Sequence, residues 1–316
     1  MKFLIGLSIF FSLSIFLMSC ENEEKPIAKV PVVLLGERQD AHSYANYHEI
    51  RTEHLNLEFE VNFENNSIYG VARHQMINDG ADTAIFDMKN LEIQKVTIGE
   101  VDEKPTNYVI GQSDSILGSP LMVMITPTTT HVNIYYKTTE ESEALDWLAP
   151  EQTSGKKLPF MYTQGQAILT RSWIPLQDSP ALRITYSADV KVPRELLPVM
   201  SATNPTKKNA LSQYHFEMKQ AIPSYLIALA VGDLQYHAFS DTTGVYAEKE
   251  LIKAAAYEFE DLPKMIGAAE KLYGKYQWEK YDVVVLPFSF PFGGMENPRL
   301  TFVNPTLIPA IEVLYL

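Results

Sequence analysis

Cysteine is almost absent from this chain of 316 residues, because only Cys20 occurs. A single cysteine excludes an intramolecular disulfide, and it also excludes a metal cluster built from several cysteines. The length suggests about two folded units together with a leader. Apolar residues make up 46% of the sequence, which is enough for an ordinary globular protein to bury a sizeable core.

Basic residues are scarce relative to acidic ones, since 26 Lys and Arg stand against 39 Asp and Glu, giving a formal net charge of −13. Binding of nucleic acid requires a basic face that neutralises phosphates. We therefore expect no nucleic acid partner. An acidic surface is compatible with positively charged small substrates, and it serves solubility equally well.

One long apolar run stands at the amino end, where residues 3–18 read FLIGLSIFFSLSIFLM after Lys2. This pattern is typical of a secretion signal, and the run is slightly short for a membrane span. The following residues, ending Met18-Ser19-Cys20, resemble a bacterial lipobox, in which the cysteine is acylated. An incidental cysteine in a plain signal anchor is the alternative. We predict a signal peptide over residues 1–20, a tether over residues 21–41, and an exported lipoprotein that faces the periplasm or the cell surface and contacts the membrane through lipid on Cys20.

Alternating apolar and polar side chains over residues 54–63 predict a half-buried β-strand. A turn at Asn65-Asn66-Ser67 precedes a second strand over residues 68–77. Turn residues separate further short strand-like runs at close intervals, which favours a mainly β domain of sandwich or saddle-like sheets over residues 42–238. These runs cover residues 84–86, 91–98, 108–110, 121–125, 131–136, 184–192 and 214–219.

The pattern changes after Ser240. Residues 248–273 have apolar side chains near helical spacing and predict one or two helices, with Pro263 marking a start or a break. Residues 281–286 read YDVVVL, an unbroken apolar run that predicts a buried strand. We place a domain boundary near residues 233–240, so that residues 239–316 begin a second domain.

Residues 291–298 read PFGGMENP and carry the clearest chemical signal. A carboxylate such as Glu296 can bind a free α-ammonium through a charge-assisted hydrogen bond. The paired glycines Gly293 and Gly294 let another backbone approach and leave main-chain groups free to pair with an extended peptide. The arrangement therefore suits recognition of a peptide's amino end. On spacing alone, a simple β-turn is favoured, because Gly-Gly followed by an acid is common in turns.

GGMEN with its flanks resembles the exopeptidase motif of the zinc aminopeptidases classed as metallopeptidase family M1. The longer stretch YDVVVLPFSFPFGGMENPRLTFVNPTL is similar to the leukotriene hydrolase/aminopeptidase branch of that family. Further stretches resemble the same branch, at residues 162–167, 171–180, 185–202 and 222–234. The resemblance implies a β-rich N-terminal domain followed by the start of an α+β, thermolysin-like catalytic domain.

The resemblance also implies a set of substrate-binding residues. They are Gln164, Gln166, Phe292, Gly293, Gly294, Met295, Glu296 and Asn297. In this set, Glu296 would hold the substrate's α-ammonium, and the paired glycines would line the peptide backbone. Gln166, and less surely Gln164, would reach the amine pocket from the β domain. Phe292 stands where the branch typically has tyrosine, so a hydroxyl contact is absent there.

The family binds zinc through His-Glu-x-x-His on a helix together with a later glutamate, and the intervening glutamate acts as general base. None of the seven histidines makes that pair. His48 and His54 are six residues apart, which places them on different sides of a helix. Residues 309–316, PAIEVLYL, do not resemble the family continuation. We therefore expect no metal ligands and no catalytic residues in these 316 residues, as would follow from a frameshift, an early stop or a gene-calling error.

These features together predict a truncated zinc-dependent aminopeptidase that in intact form removes amino-terminal residues from peptides, with peptide amino ends as its substrate. The alternative is a non-catalytic surface lipoprotein that binds peptide termini or a partner protein. The nucleotide sequence beyond the codon for Leu316 separates the two hypotheses. A His-Glu-x-x-His segment there would indicate a broken enzyme gene, whereas unrelated sequence would favour a binding module.

Overall fold

The structure is a computed structural model that describes residues 40–308. The predicted signal peptide, Cys20, all but the last two residues of the predicted tether, and residues 309–316 lie outside the described residues. All described residues belong to one compact unit. Within residues 40–308, the helices are too short or too polar to cross a bilayer.

Strands dominate the described chain. They are β1 (Ile50–Asn62), β2 (Ser67–Asn78), β3 (Thr83–Met88), β4 (Leu91–Ile98), β5 (Lys104–Pro105), β6 (Tyr108–Ile110), β7 (Ser119–Met124), β8 (His131–Thr138), β9 (Leu145–Leu148), β10 (Phe160–Thr163), β11 (Ile184–Lys191), β12 (Leu197–Met200), β13 (Gln213–Ile222), β14 (Leu229–Gly232), β15 (Leu234–Ala238), β16 (Thr243–Glu248), β17 (Tyr281–Val285), β18 (Gly294–Met295) and β19 (Leu300–Val303). Two α-helices, α1 (Ile252–Glu258) and α2 (Leu262–Tyr273), separate β16 from β17. The mainly β architecture predicted from the sequence is confirmed.

The largest sheet has seven strands in the order β13-β11-β1-β2-β8-β4-β5. β1 and β11 run parallel, and every other neighbouring pair in this sheet is antiparallel. Side chains of β1 alternate between buried and partly or fully exposed positions, as expected for a sheet with one face on the core. The alternation seen in the sequence therefore has its cause in one-sided burial.

A four-stranded antiparallel sheet, in the order β12-β14-β10-β9, has no strand that was predicted from the sequence, and β15, β16 and β19 were not predicted either. Each of its strands is four residues long, and all residues of β10, β12 and β14 are buried. Strands buried on both faces show no alternation, and runs this short are indistinguishable from other buried segments by pattern. A three-stranded sheet in the order β3-β7-β6 completes the β-rich part.

The fourth sheet has five strands in the order β15-β16-β17-β19-β18 and contains the PFGGMENP segment. β16, β17 and β19 run parallel, and α1 and α2 form the crossover between β16 and β17. Pro263 lies in the first turn of α2, as predicted. Because β15 pairs with β16, residues 234–238 belong to this sheet. The predicted domain boundary near residues 233–240 stays a prediction.

The segment before β1 is tied to the β-rich part by a buried arginine. Arg171 is completely buried, and its guanidinium donates to Asp178 Oδ2 at 3.0 Å, Leu117 O at 2.9 Å and His42 O at 2.7 Å. Asp40 accepts a hydrogen bond of 2.6 Å from the hydroxyl of Ser179. Ordered packing thus includes residue 40, which lies within the range predicted as tether.

One apolar core runs through the β-rich sheets and includes Phe290, Met295 and Phe302 from the five-stranded sheet and its loops. A second, smaller cluster lies between that sheet and its helices and includes Val245, Ala255 and Leu262. The loop that carries the sequence motif is therefore packed on the same core as the N-terminal sheets.

Candidate substrate-binding site

The motif residues lie at the edge of the five-stranded sheet. β18 is the edge strand, and it pairs antiparallel with β19, with Gly294 opposite Val303 and Met295 opposite Phe302. Within residues 40–308, no strand pairs with the other side of β18. An extended peptide can add to such an edge through main-chain hydrogen bonds.

The packing of the described chain gives no reason for a glycine at position 293. A Cβ built on Gly293 meets no atom of the described chain within 4 Å, and its φ does not lie in the left-handed region that favours glycine. At Gly294, a Cβ would lie 3.3 Å from the carbonyl oxygen of Phe302. The space in front of Gly293 is open, so a ligand backbone can approach it.

Glu296 follows directly on this edge and is exposed. No hydrogen bond or ion pair joins its carboxylate to another residue in the described part of the chain. Most carboxylates that structure a loop accept backbone or side-chain donors, as Asp114 and Glu248 do in this protein. The carboxylate of Glu296 is therefore available to a cationic group from solvent.

Of the two predicted glutamines, Gln164 is the one that contacts the motif. It is almost fully buried, and its Nε2 donates to Met295 Sδ at 3.5 Å. Gln166 is exposed and makes no hydrogen bond to the loop among the described residues. Gln164 thus contacts the motif in the described chain, and the predicted role of Gln166 in the amine pocket stays a prediction.

Two buried polar atoms close to Met295 lack partners. Gln164 Oε1 and Asn297 Nδ2 are both inaccessible to solvent and make no hydrogen bond within residues 40–308. Leaving such an atom unpaired costs roughly 1–3 kcal/mol. One of them is an acceptor and the other is a donor, so both kinds of polar partner remain unsatisfied beside the motif.

Tyr162 supports the other end of the loop. Its hydroxyl lies 3.4 Å from Ser289 Oγ, and its ring meets Phe290 edge-on with 5.6 Å between ring centroids. Burial raises the pKa of Tyr162 to about 12, so the phenol stays protonated at neutral pH. Sequence reasoning did not single out Tyr162. Its position two residues before Gln164 could have indicated it, because alternate residues of a strand share a face.

Asn304 is a second residue that sequence reasoning missed. Its Nδ2 donates to Phe290 O at 2.6 Å, and its backbone N–H donates to Gly293 O at 3.1 Å. Its Oδ1 accepts from the backbone N–H of Thr306 at 3.0 Å. Phe292, between these two anchored carbonyls, is exposed and lies with its ring centroid 5.8 Å from that of Phe290.

The described residues do not offer a donor set for zinc. Within residues 40–308, histidine, cysteine and carboxylate side chains form no group of three or more that could hold a metal ion. His54, at the start of the alternating pattern, is bonded instead to Thr185 Oγ1 at 2.7 Å. No reaction step can therefore be assigned to a metal from these residues.

Known proteins resemble this chain in sequence and in fold. A family profile described as the peptidase M1 N-terminal domain matches residues 51–226, more than half of the chain. This chain belongs to the peptidase M1 family. The resemblance read from the sequence is thereby confirmed at the level of the family.

Relatives of this M1 chain include named hydrolases and aminopeptidases. Leukotriene A-4 hydrolase of Xenopus laevis is 38% identical over 281 residues, covering 85% of this chain and 46% of that protein. Leucine aminopeptidase 2 of Yarrowia lipolytica is 36% identical over 279 residues, covering 86% of this chain and 42% of that protein. Aminopeptidase B of Rattus norvegicus is 50% identical over 169 residues, covering 53% of this chain and 26% of that protein.

Among solved structures, yeast LTA4 hydrolase in complex with bestatin matches with a TM-score of 0.79 and 34% sequence identity. The match covers 86% of this M1 chain and 43% of the yeast chain. This chain therefore spans less than half the length of the relatives that it matches.

Proposed function

We propose that this chain carries the substrate-recognition site of a zinc-dependent metallo-aminopeptidase that removes amino-terminal residues from peptides. The observation that carries the proposal is the exposed edge Gly293–Gly294, followed two residues later by a carboxylate, Glu296, that has no partner in the described chain. Membership of the M1 family and relatives named as aminopeptidases support it.

Each residue of the site has a distinct role in this proposal. Glu296 accepts hydrogen bonds from the α-ammonium of the substrate, which a carboxylate does more strongly than a neutral acceptor. Gly293 and Gly294 expose main-chain groups that pair with the substrate backbone. Gln164 and Asn297 lie buried behind this edge beside Met295, and Phe292 offers an exposed apolar surface.

The test of recognition is a calorimetric titration of the 316-residue chain with Leu-Gly-Gly and with its N-acetylated form. We expect the free-amine peptide to bind more tightly, because only it carries the cation that Glu296 recognises. The substitution Glu296→Gln should weaken binding of the free-amine peptide about threefold to tenfold and leave the acetylated peptide unchanged.

A matched control is Glu92→Gln, which removes an exposed carboxylate from β4 in a different sheet. It changes the net charge by the same amount and should leave both affinities as in the parent chain. Equal affinity for the two peptides in the parent chain, or equal effects of the two substitutions, would contradict the proposal.

We also propose that these 316 residues alone are catalytically inactive. Zinc in this family activates the attacking water, and the sequence contains no His-Glu-x-x-His segment to hold it. The purified chain should hydrolyse no aminoacyl chromophore and should retain no stoichiometric zinc after gel filtration. Detecting either would overturn this part of the proposal.

Export and lipid anchoring remain a proposal from the sequence, since Cys20 lies outside the described residues. Mass spectrometry of the membrane fraction should find a mature amino terminus at Cys20 carrying acyl chains. The Cys20→Ser chain should lack the acyl mass and leave the membrane fraction. An unmodified Cys20 in the parent chain would refute lipidation.

A further inference from the structure

The loop between β17 and β18 must present Gly293, Gly294 and Glu296 in one fixed arrangement if it is to recognise an amino end. Free loops lose affinity because ordering them on binding costs entropy. Among the described residues, one side chain alone donates a hydrogen bond to the backbone of residues 287–293. That side chain is Asn304, whose Nδ2 lies 2.6 Å from Phe290 O.

We propose that Asn304 is a positioning residue for amine recognition, clamping the loop at Phe290 and Gly293 so that the Gly293–Gly294 edge and Glu296 are preorganised. The inference rests on the proposed function, and it adds a residue that touches no substrate. The clamp acts at two points three residues apart, because the side chain holds Phe290 O and the backbone N–H holds Gly293 O at 3.1 Å.

The position of Asn304 in the fold suits this role. It follows β19 directly, and β19 is the strand that pairs with β18. Its Oδ1 is held by the N–H of Thr306 at the start of the 3-10 turn Pro305–Leu307, which fixes the amide plane and aims Nδ2 at the loop. Because Asn304 is held by the end of β19 and by the following turn, its hydrogen bond to Phe290 O can restrict the motion of the loop.

Other supports of the loop are weaker. The Tyr162 hydroxyl lies 3.4 Å from Ser289 Oγ, and Gln164 Nε2 lies 3.5 Å from a thioether sulfur of Met295. Thioether sulfur is a weak acceptor, and a 3.4 Å hydroxyl pair is long for a hydrogen bond. Loss of the hydrogen bond from Asn304 to Phe290 O should therefore loosen the loop, because the neighbouring contacts are too weak to replace it.

A purely local role for Asn304 is the competing explanation, because its side chain also caps the turn at Pro305–Leu307. The substitution Asn304→Asp separates the two roles. A carboxylate keeps the acceptor for the Thr306 N–H, and it removes the donor and repels the carbonyl of Phe290. The turn and the backbone hydrogen bond to Gly293 O should survive, whereas the side-chain half of the clamp at Phe290 O should open.

Hydrogen–deuterium exchange of the fragment spanning residues 287–297 measures how tightly the clamp holds the loop. We expect exchange about fivefold to tenfold faster in Asn304→Asp than in the parent chain at pH 7, with the same melting temperature. Lowering the pH toward about 4 should bring the ratio back toward one, because protonation gives the introduced carboxyl a donor again. A role in capping alone would produce neither effect.

Asn209→Asp is the matched control, because Asn209 Nδ2 also donates to a backbone carbonyl, that of Gln213, at 2.7 Å and lies in an exposed turn. It imposes the same chemical change in the β-rich part. It should leave exchange of residues 287–297 and the affinity for Leu-Gly-Gly as they are in the parent chain.

The affinities complete the test. If the parent chain prefers the free-amine peptide, Asn304→Asp should weaken that binding about threefold or more while the preference over the acetylated peptide shrinks. Unchanged exchange, or faster exchange with unchanged affinity, overturns the role of Asn304 and leaves the proposed function standing. A parent chain with no preference for the free amine overturns the proposed function, and the recognition role of Asn304 falls with it.

Discussion

His74 shows at the scale of a single residue how burial fixes a charge state. Its ring is completely buried and packs against Phe86 with 4.5 Å between centroids. Nε2 lies 3.1 Å from the carbonyl oxygen of Pro175, which can only accept, so Nε2 carries the proton. Nδ1 then accepts from the Thr52 hydroxyl at 3.0 Å. Burial lowers the pKa of His74 to about 3, so the ring is neutral in the folded chain.

This histidine should make stability depend on pH. Below pH 6.5 the unfolded chain binds a proton at His74 and the folded chain does not, so the free energy of unfolding falls as the pH drops from 6.5 toward 3. The contribution is about 1 kcal/mol for each pH unit. Urea unfolding of the parent chain and of His74→Gln at pH 7.5, 6 and 5 measures it. The variant should lose less stability over this range, and equal losses would contradict the assignment.

Residues of the candidate site were predicted from the sequence only in part. Glu296 and the two glycines could be recognised because they lie within four consecutive positions of the sequence. Asn304 could not, since its role arises from a contact with residue 290 that the fold brings close, and the spacing of Tyr162 from Gln164 indicates at most a shared strand face and not its contact with residue 289. The choice between Gln164 and Gln166 depends on which one the end of β10 turns inward, and a linear sequence does not show that.

At the scale of elements, two glycines lie in regular structure with opposite surroundings. Gly70 in β2 faces the ring of Tyr136, and a Cβ built there would lie 2.5 Å from that ring. Gly267 in α2 has no atom within 4 Å of such a Cβ. One glycine is therefore required by packing between β2 and β8, and the other weakens a helix.

Alanine substitutions should separate these two cases. Gly70→Ala should lower the free energy of unfolding by about 1–3 kcal/mol, because the buried ring must shift. Gly267→Ala should raise it by up to about 1 kcal/mol, since alanine favours the helix. Chemical denaturation of both variants measures the changes. Effects of the same sign would show that one of these environments is wrong.

The elements differ in how well they could be predicted. β4 and β6 have the predicted bounds, β2 is one residue longer at each end, and β1 begins four residues before the predicted start. β1 and β2 could be recognised because their half-buried faces alternate visibly. The helices were recognisable from apolar spacing and Pro263. The four-stranded sheet could not be predicted from the sequence, because β10, β12 and β14 are short and fully buried and show no alternation. These strands are defined by their pairing in the folded chain.

At the scale of the whole molecule, the recognition loop shares a core with the N-terminal sheets. Phe290 and Met295 belong to the same apolar cluster as Trp173, which is buried in the β-rich part. Trp278 packs against that cluster from the segment between α2 and β17. The loop is thus supported by two parts of the chain.

A shared core predicts cooperative unfolding of residues 40–308. Urea transitions followed by tryptophan fluorescence and by far-UV circular dichroism should coincide, because Trp173 and Trp278 report the two parts. A Trp278→Phe chain should give the same midpoint from Trp173 and Trp147. Two separated transitions would mean that the five-stranded sheet is not stabilised by the N-terminal sheets.

The proposed function requires that the edge at Gly293–Gly294 bind the charged amino end of a peptide. Glycine-selective ¹⁵N labelling gives fifteen backbone signals, and Gly293→Ala assigns the first of the pair. Titration with Leu-Gly-Gly should shift the Gly293 and Gly294 signals and leave Gly70 and Gly267 in place, whereas N-acetylated Leu-Gly-Gly should leave all four in place. Equal shifts with both peptides, or none at the Gly293 and Gly294 signals with the free amine, would contradict the claim.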